Sequence, residues 1–263
     1  MTARLTIEYD GTGFSGWAIQ PGERTVQGEL QAALATVLRR SVELTVAGRT
    51  DAGVHAWAQV ASHEGEAAPL GSLNALLPPD VAVTASDTVA DGFNARRDCT
   101  SRAYCYQVLA RPGRPAMARD SILHWGYALD YELLCRCAAL LVGTRNFTAF
   151  TPTETYHLRF ERDVFAAFWL RGSARGVIGE RLGEADVYQF WIEADTYMRH
   201  MNRALVGTML EVARGKLTLG HFAALLEGRP RSDAGPTAPA HGLYFAGAGY
   251  GGERLLSPRA RAL

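Results

Sequence analysis

Strand-like and helix-like stretches do not alternate one for one along this chain, and that excludes a regular βαβ winding around an all-parallel sheet. "ARLTIEYD" sets Leu5, Ile7 and Tyr9 against polar neighbours at a period of two, the pattern of a half-buried strand. After the glycine-rich "GTGFSGW", Thr25 offers an N-cap to a helix through about Arg40, with Val26, Leu30, Leu34, Val37 and Leu38 along one side. "VELTV" and "AQVASHE" read as strands, "LGSLNALLPPD" as a short helix stopped by Pro78 and Pro79, and "VAVTASDTV" and "SRAYCYQVLA" as more strands. The Pro/Gly/Arg segment from Arg111 to Pro115 then opens a second round. Its helices are "DYELLCRCAALLVG" (with Gly143 as C-cap), "RHMNRALVGTMLEVARG" and "TLGHFAALLEG"; its strands are "RDVFAAFWLRG", "DVYQFWIEAD" and "HGLYFAGAGY". The fold class is therefore α+β with largely antiparallel sheets: an N-terminal unit at 1–110, a C-terminal unit at 111–250 and a loose tail at 251–263.

At 48% hydrophobic and 21% charged residues, the chain has the balance of a folded globular protein. No apolar run approaches the roughly 18 residues of a membrane helix, and "MTARLTIEYDG" is no secretory signal, so the expected location is the cytoplasm. Cys99, Cys105, Cys135 and Cys137 form no C-x-x-C pair and have no histidine cluster nearby, which argues against zinc and for reduced thiols. Net charge is zero, so the total gives no sign of a polyanionic partner; the distribution gives more. All basic residues but Lys216 are arginines, and six of them, with Asp98 as the one acid, lie between Arg96 and Arg119. GC-rich codons explain the arginine bias; a phosphate-gripping face explains the cluster equally well.

Three polar constellations can carry chemistry. In "VAGRTDAGVHA", Gly48 and Gly53 permit a tight excursion after a strand. Asp51 there either closes an Asx-turn or, ionised beside Arg49, acts as a nucleophile. His55 reads as a hydrogen-bonded loop histidine or as half of an acid–base pair with Asp51, the pair a hydrolase would use. In "RAYCY", Tyr104 and Tyr106 share one face of a strand, as core or as a ring surface. In "YMRHMNRAL", Arg199 and Arg203 are four apart on a helix and so share one side. They stand at the helix start, where the dipole gives cations nothing, and an anionic partner would explain them.

The opening constellation, as "AGRTDAGVHA", resembles the signature loop of the TruA family of tRNA pseudouridine synthases. "IEYDGTGFSGW", "TVQGELQAAL", "GFNARRDCTSRAYCY", "NFTAF", "HMNRALVGTMLEV" and "AHGLYF" resemble further family segments in the family's order, from about Ile7 to Phe245. The resemblance implies two α/β subdomains of similar topology whose sheets join across a basic active-site cleft, and a homodimer. It implies isomerisation of uridines at positions 38–40, in the tRNA anticodon arm, to pseudouridine, with no metal, cofactor or membrane. A tRNA-binding protein of the same fold without catalysis is the alternative. The implied roles are Asp51 as catalytic aspartate, Arg49 as a tRNA contact that helps flip the base, and Tyr104 as the ring against the uracil. Arg203 is implied as the arginine paired with the aspartate, and Phe93, Asn94, Ala95, Arg96 and Arg97 as an RNA-contacting stretch. Ala18 stands where the family often has glutamine, Ala204 where it often has asparagine, and Thr151 to Arg159 matches an RNA-contact region in position but hardly in sequence.

Overall fold

The computed structural model describes residues 1–155, 158–172 and 186–256. The chain forms two compact units: Met1–Arg102 with Tyr244–Leu255, and Ala103–Leu243 with Leu256–Leu263. The class is α+β, with strand pairings that are mostly antiparallel.

In the first unit, β1 (Thr2–Tyr9) runs antiparallel to both β3 (His55–Glu64) and β4 (Val81–Val89). The period-two pattern of β1 is realised: Ala3, Leu5, Ile7 and Tyr9 are buried, while Glu8 is exposed. Fully burying side chains such as Leu5 and Ile7 contributes roughly 1.5–3 kcal/mol each. The closing strand β10 (Leu243–Tyr250) lies parallel to β3, pairing Tyr244 with His55 and Phe245 with Ala56. Helix α1 (Val26–Leu38) starts where the sequence placed it, with the Thr25 hydroxyl accepting from the Gly28 amide. The short α2 (Leu70–Leu76) packs on β4.

Two expectations change here. "VELTV" pairs as a strand only over β2 (Thr45–Val46), against β3. β3 in turn begins three residues earlier than "AQVASHE" suggested, so His55 is its first residue and not part of the loop. The alternation was masked because His55, Ala56 and Trp57 carry no clean apolar/polar period.

The second unit holds most of β5 (Cys99–Ala110), followed by β6 (Leu123–Trp125), α3 (Tyr131–Leu141), β7 (Gly143–Asn146), β8 (Glu161–Arg171) and β9 (Val187–Ala194). β7, β8 and β9 are antiparallel neighbours, while β6 pairs with β5 in parallel. β6 and β7 are too short to leave a periodic trace, and the sequence reading missed both. Gly143 takes φ +94° just after the α3 terminus, the left-handed turn expected of it.

Helices α4 (Met201–Ala213) and α5 (Leu219–Leu225) pack on each other and on α3. Nearly every residue of α4 is buried, Arg203 and Glu211 being the exceptions, so the helix has no wide solvent face. Gly207 permits this, since a Cβ there would sit 1.9 Å from the Pro236 carbonyl oxygen. Among the described residues, no helix is long and apolar enough to cross a membrane. All four cysteines are free, and burial pushes the Cys137 thiol up to about 12. In the tail, residues 257–263 lie outside the described residues, as do Tyr156 and His157 within Thr151 to Arg159.

Candidate active site

The loop after β2 is held from several sides by backbone and buried side chains. The Ala47 amide donates to the Val60 carbonyl, and the Trp17 amide to the Thr50 carbonyl, at 2.9 and 3.1 Å. Gln59, fully buried on β3, donates its side-chain amide to the Gly48 carbonyl at 2.8 Å. The Tyr9 and Thr50 hydroxyls are 2.7 Å apart, and burial raises the Tyr9 phenol to about 12, so it stays protonated. A turn closes from the Asp51 carbonyl to the Val54 amide, with Gly53 at φ +76° as the sequence anticipated.

"GTGFSGW" turns out to be the packing partner of this loop. A Cβ at Gly11 would meet the Val54 carbonyl oxygen at 2.1 Å, and one at Gly16 would meet the Thr50 carbonyl oxygen at 2.9 Å. The glycines thus let two stretches of backbone touch.

On this frame Asp51 is half-buried while Arg49 is exposed. Among the described residues the Arg49 guanidinium has no hydrogen-bond or ion-pair partner, which leaves it available to an outside anion. His55 is committed elsewhere. Its Nδ1 lies 3.1 Å from both the Gly11 amide and Asp10 Oδ1. The amide can only donate, so Nδ1 accepts from it, with the Asp10 carboxylate alongside. The ring also stacks on Tyr244, which stacks in turn on Trp57. A histidine packed this way anchors β3 to β10, and the acid–base pairing of His55 with Asp51 gains no support.

The stretch from Phe93 to Arg97 divides by residue. Phe93 packs against Tyr250, and fully buried Ala95 donates its amide to Ser62 and accepts from the Tyr250 hydroxyl. The Asn94 side chain accepts from the amides of Arg96 and Arg97, an Asx-turn. Arg97 is tied to Asp98 at 2.9 Å and to the Gly92 carbonyl, and its guanidinium holds the Asp98 carboxyl below the usual carboxylate range. Arg96 is exposed, and its side chain has no partner among the described residues. Of the six arginines grouped by the sequence, Arg102 is buried, and three of its side-chain hydrogen bonds go to backbone carbonyls.

In the second unit, Tyr104 and Tyr106 are both buried on β5. The Tyr104 ring meets Tyr197 edge-on at 4.9 Å, a neighbour the sequence reading did not single out. Tyr106 donates its hydroxyl to the Pro239 carbonyl, and burial drives its phenol far up. Arg203 stands in the first turn of α4, where its Nε donates to the Ala238 carbonyl while the Ala238 amide donates to the Arg203 carbonyl. That clamp fixes the base of the Arg203 side chain against Ala238. Arg199 is not on the helix: it lies in the turn before it, and His200, at φ 62°, breaks the helical path between them. The four-residue spacing therefore does not place Arg199 and Arg203 on one side.

The profile of a family described as tRNA pseudouridine synthase matches residues 137–251. The chain is 34% identical over 255 residues to tRNA pseudouridine synthase A of Bacillus pumilus, covering 93% of this chain and 97% of that one. To the tRNA pseudouridine synthase A of Chromobacterium violaceum it is 37% identical over 271 residues, covering 100% and 98%. To that of Nitrosomonas europaea it is 36% identical over 251 residues, covering 94% and 88%. Identity at this level along most of both chains, with the glycines, Arg49 and Asp51 in one tightly held loop, leaves one conclusion: the chain belongs to the tRNA pseudouridine synthase A family of isomerases.

Proposed function

We propose that this chain converts uridines at positions 38–40, in the anticodon arm of tRNA, to pseudouridine, with Asp51 as the nucleophile. The observation that carries the reading is the setting of Asp51: a half-buried carboxylate on a loop whose backbone is bonded to β3, to Trp17 and to Arg102 of β5, two residues from an exposed guanidinium. A nucleophile must be held still, and a flipped base needs a cation at the phosphate it leaves behind.

The reaction breaks the N1–C1′ bond, rotates the uracil and joins C5 to C1′; the C5 proton is lost and N1 gains one. The Asp51 carboxylate adds either to C6 of the ring or to C1′ of the sugar, and either bond splits one hard step into two. Extruding the base costs a few kcal/mol, and Arg49 is placed to contribute contacts to the opened strand. Tyr104 and Arg203 enter through the family pattern, as the ring against the uracil and as a cation for carboxylate charge. The test is tritium release from C5-labelled uridine in tRNA. A tRNA-binding protein without catalysis, or a hydrolase, releases none by this route.

Salt dependence is a second expected result. Although the net charge is zero, tRNA affinity should fall linearly on a plot of log K against log salt, because Arg49 and Arg96 meet phosphate without an internal partner. Arg96→Glu should reduce the slope by about 1 or more, whereas a flat plot for the parent would refute a phosphate-gripping surface. We also assign the working unit as a homodimer, on the family pattern: a symmetric pair offers each tRNA a second basic surface. Analytical ultracentrifugation at assay concentration should give a dimer, and a fully active monomer would reject it.

A further inference from the structure

We infer that Arg102 is a positioning residue: a buried latch that ties the backbone leading into the Asp51 loop to the backbone of the RNA-contacting stretch. Its Nε donates to the Ala47 carbonyl at 2.9 Å, one terminal nitrogen to the Cys99 carbonyl at 3.3 Å, and the other to the Arg96 carbonyl at 3.1 Å. The three carbonyls belong to different places in the chain: the residue after β2, the start of β5, and the exposed stretch between β4 and β5. Ala47 stands four residues before Asp51, and the Arg96 side chain is the exposed cation of its stretch. The side chain is buried, although the sequence groups it with the arginines of a candidate phosphate-gripping face, and these three bonds all go to backbone carbonyls.

An arginine is what this geometry calls for. The guanidinium is a planar fork of five N–H donors, so one rigid group can reach three acceptors at fixed angles. A lysine ammonium keeps the charge but presents its donors from one point, and cannot span all three. The distances also bear on rate. Misplacing a reacting group by about 1 Å can cost about a hundredfold, and Arg102 is a direct restraint on the backbone that leads to the nucleophile.

The inference rests on Asp51 as the nucleophile. The experiment compares Arg102→Lys, Arg102→Ala and Arg96→Ala under single-turnover conditions on tRNA, with Asp51→Asn alongside. Folding is checked by circular dichroism, and loop order by amide hydrogen exchange over residues 47–54. Loss of the latch is expected to lower the saturating single-turnover rate at least tenfold in both Arg102 variants while tRNA Kd stays within threefold. Exchange over residues 47–54 should quicken more than in the rest of the unit. Millimolar guanidinium should restore part of the rate of Arg102→Ala. Arg96→Ala should act chiefly through binding, raising Kd by more than either Arg102 variant does. Full activity in Arg102→Lys would overturn the latch in favour of plain charge, and a rise in Kd alone would make Arg102 an RNA contact. Loss of fold in both variants would make it a general stability residue, which also overturns the proposal. If Asp51→Asn itself turns over, the nucleophile reading fails; if only the Arg102 results fail, that reading stands.

Discussion

Asp51→Asn is expected to abolish pseudouridine formation while leaving tRNA binding within about threefold of the parent. A carboxamide is a poor nucleophile of almost the same shape, so the substitution removes the covalent step and little else. The loop should tolerate it. The turn at Asp51 is closed through its backbone carbonyl to the Val54 amide, and the neighbouring anchors, Thr50 on Trp17 and Gly48 on Gln59, do not use the Asp51 side chain. Loss of a hundredfold or more corresponds to about 2.7 kcal/mol of transition-state stabilisation, well beyond what a displaced surface contact would cost. The measurement is tritium release with a parallel filter-binding titration. Turnover above about a few per cent of the parent would end the nucleophile role, and a matched fall in binding would recast Asp51 as an RNA contact.

Local patterns were legible in the sequence where the chain supplies its own partner. β1 showed its alternation, α1 its Thr25 cap, and Gly53 its turn, because each depends on residues a few places away. Arg49 and Asp51 were legible as a polar pair following a strand. What could not be read were contacts made at long range. Gly11 exists for Val54, and nothing near Gly11 in the chain announces that. β6 and β7 are held by strands already in place, not by any preference of "LHW" or "GTRN". Tyr197 became visible only when β9 brought the chain back to Tyr104. Arg102 did leave a trace. It shares the period-two register of Tyr104 and Tyr106, both buried, so its burial could have been inferred before it was counted among surface arginines. Arg199 marks the opposite error: a four-residue spacing carries meaning only on a continuous helix, and His200 interrupts this one.

Gly11→Ala is expected to lose most activity, and Gly13→Ala, two residues along the same turn, very little. At Gly11 the new methyl group would stand 2.1 Å from the Val54 carbonyl oxygen, 2.5 Å from its carbon and 3.0 Å from its nitrogen. All three atoms are backbone, so relief requires moving one of the two segments bodily. The segment on the Val54 side begins three residues after Asp51 and leads directly into β3. At Gly13 the methyl would meet the end of the Arg24 side chain at 3.2 Å, and a long side chain can yield. Both glycines keep negative φ, so the contrast owes nothing to backbone strain. Overpacking of this kind costs roughly 1–3 kcal/mol of stability. The effect on rate should exceed that on stability, because a shift near 1 Å at the nucleophile is worth about a hundredfold. Thermal unfolding and single-turnover tritium release on the two variants give the comparison. Equal activities in Gly11→Ala and Gly13→Ala would mean that the Gly11–Val54 contact does not hold the loop in its working position.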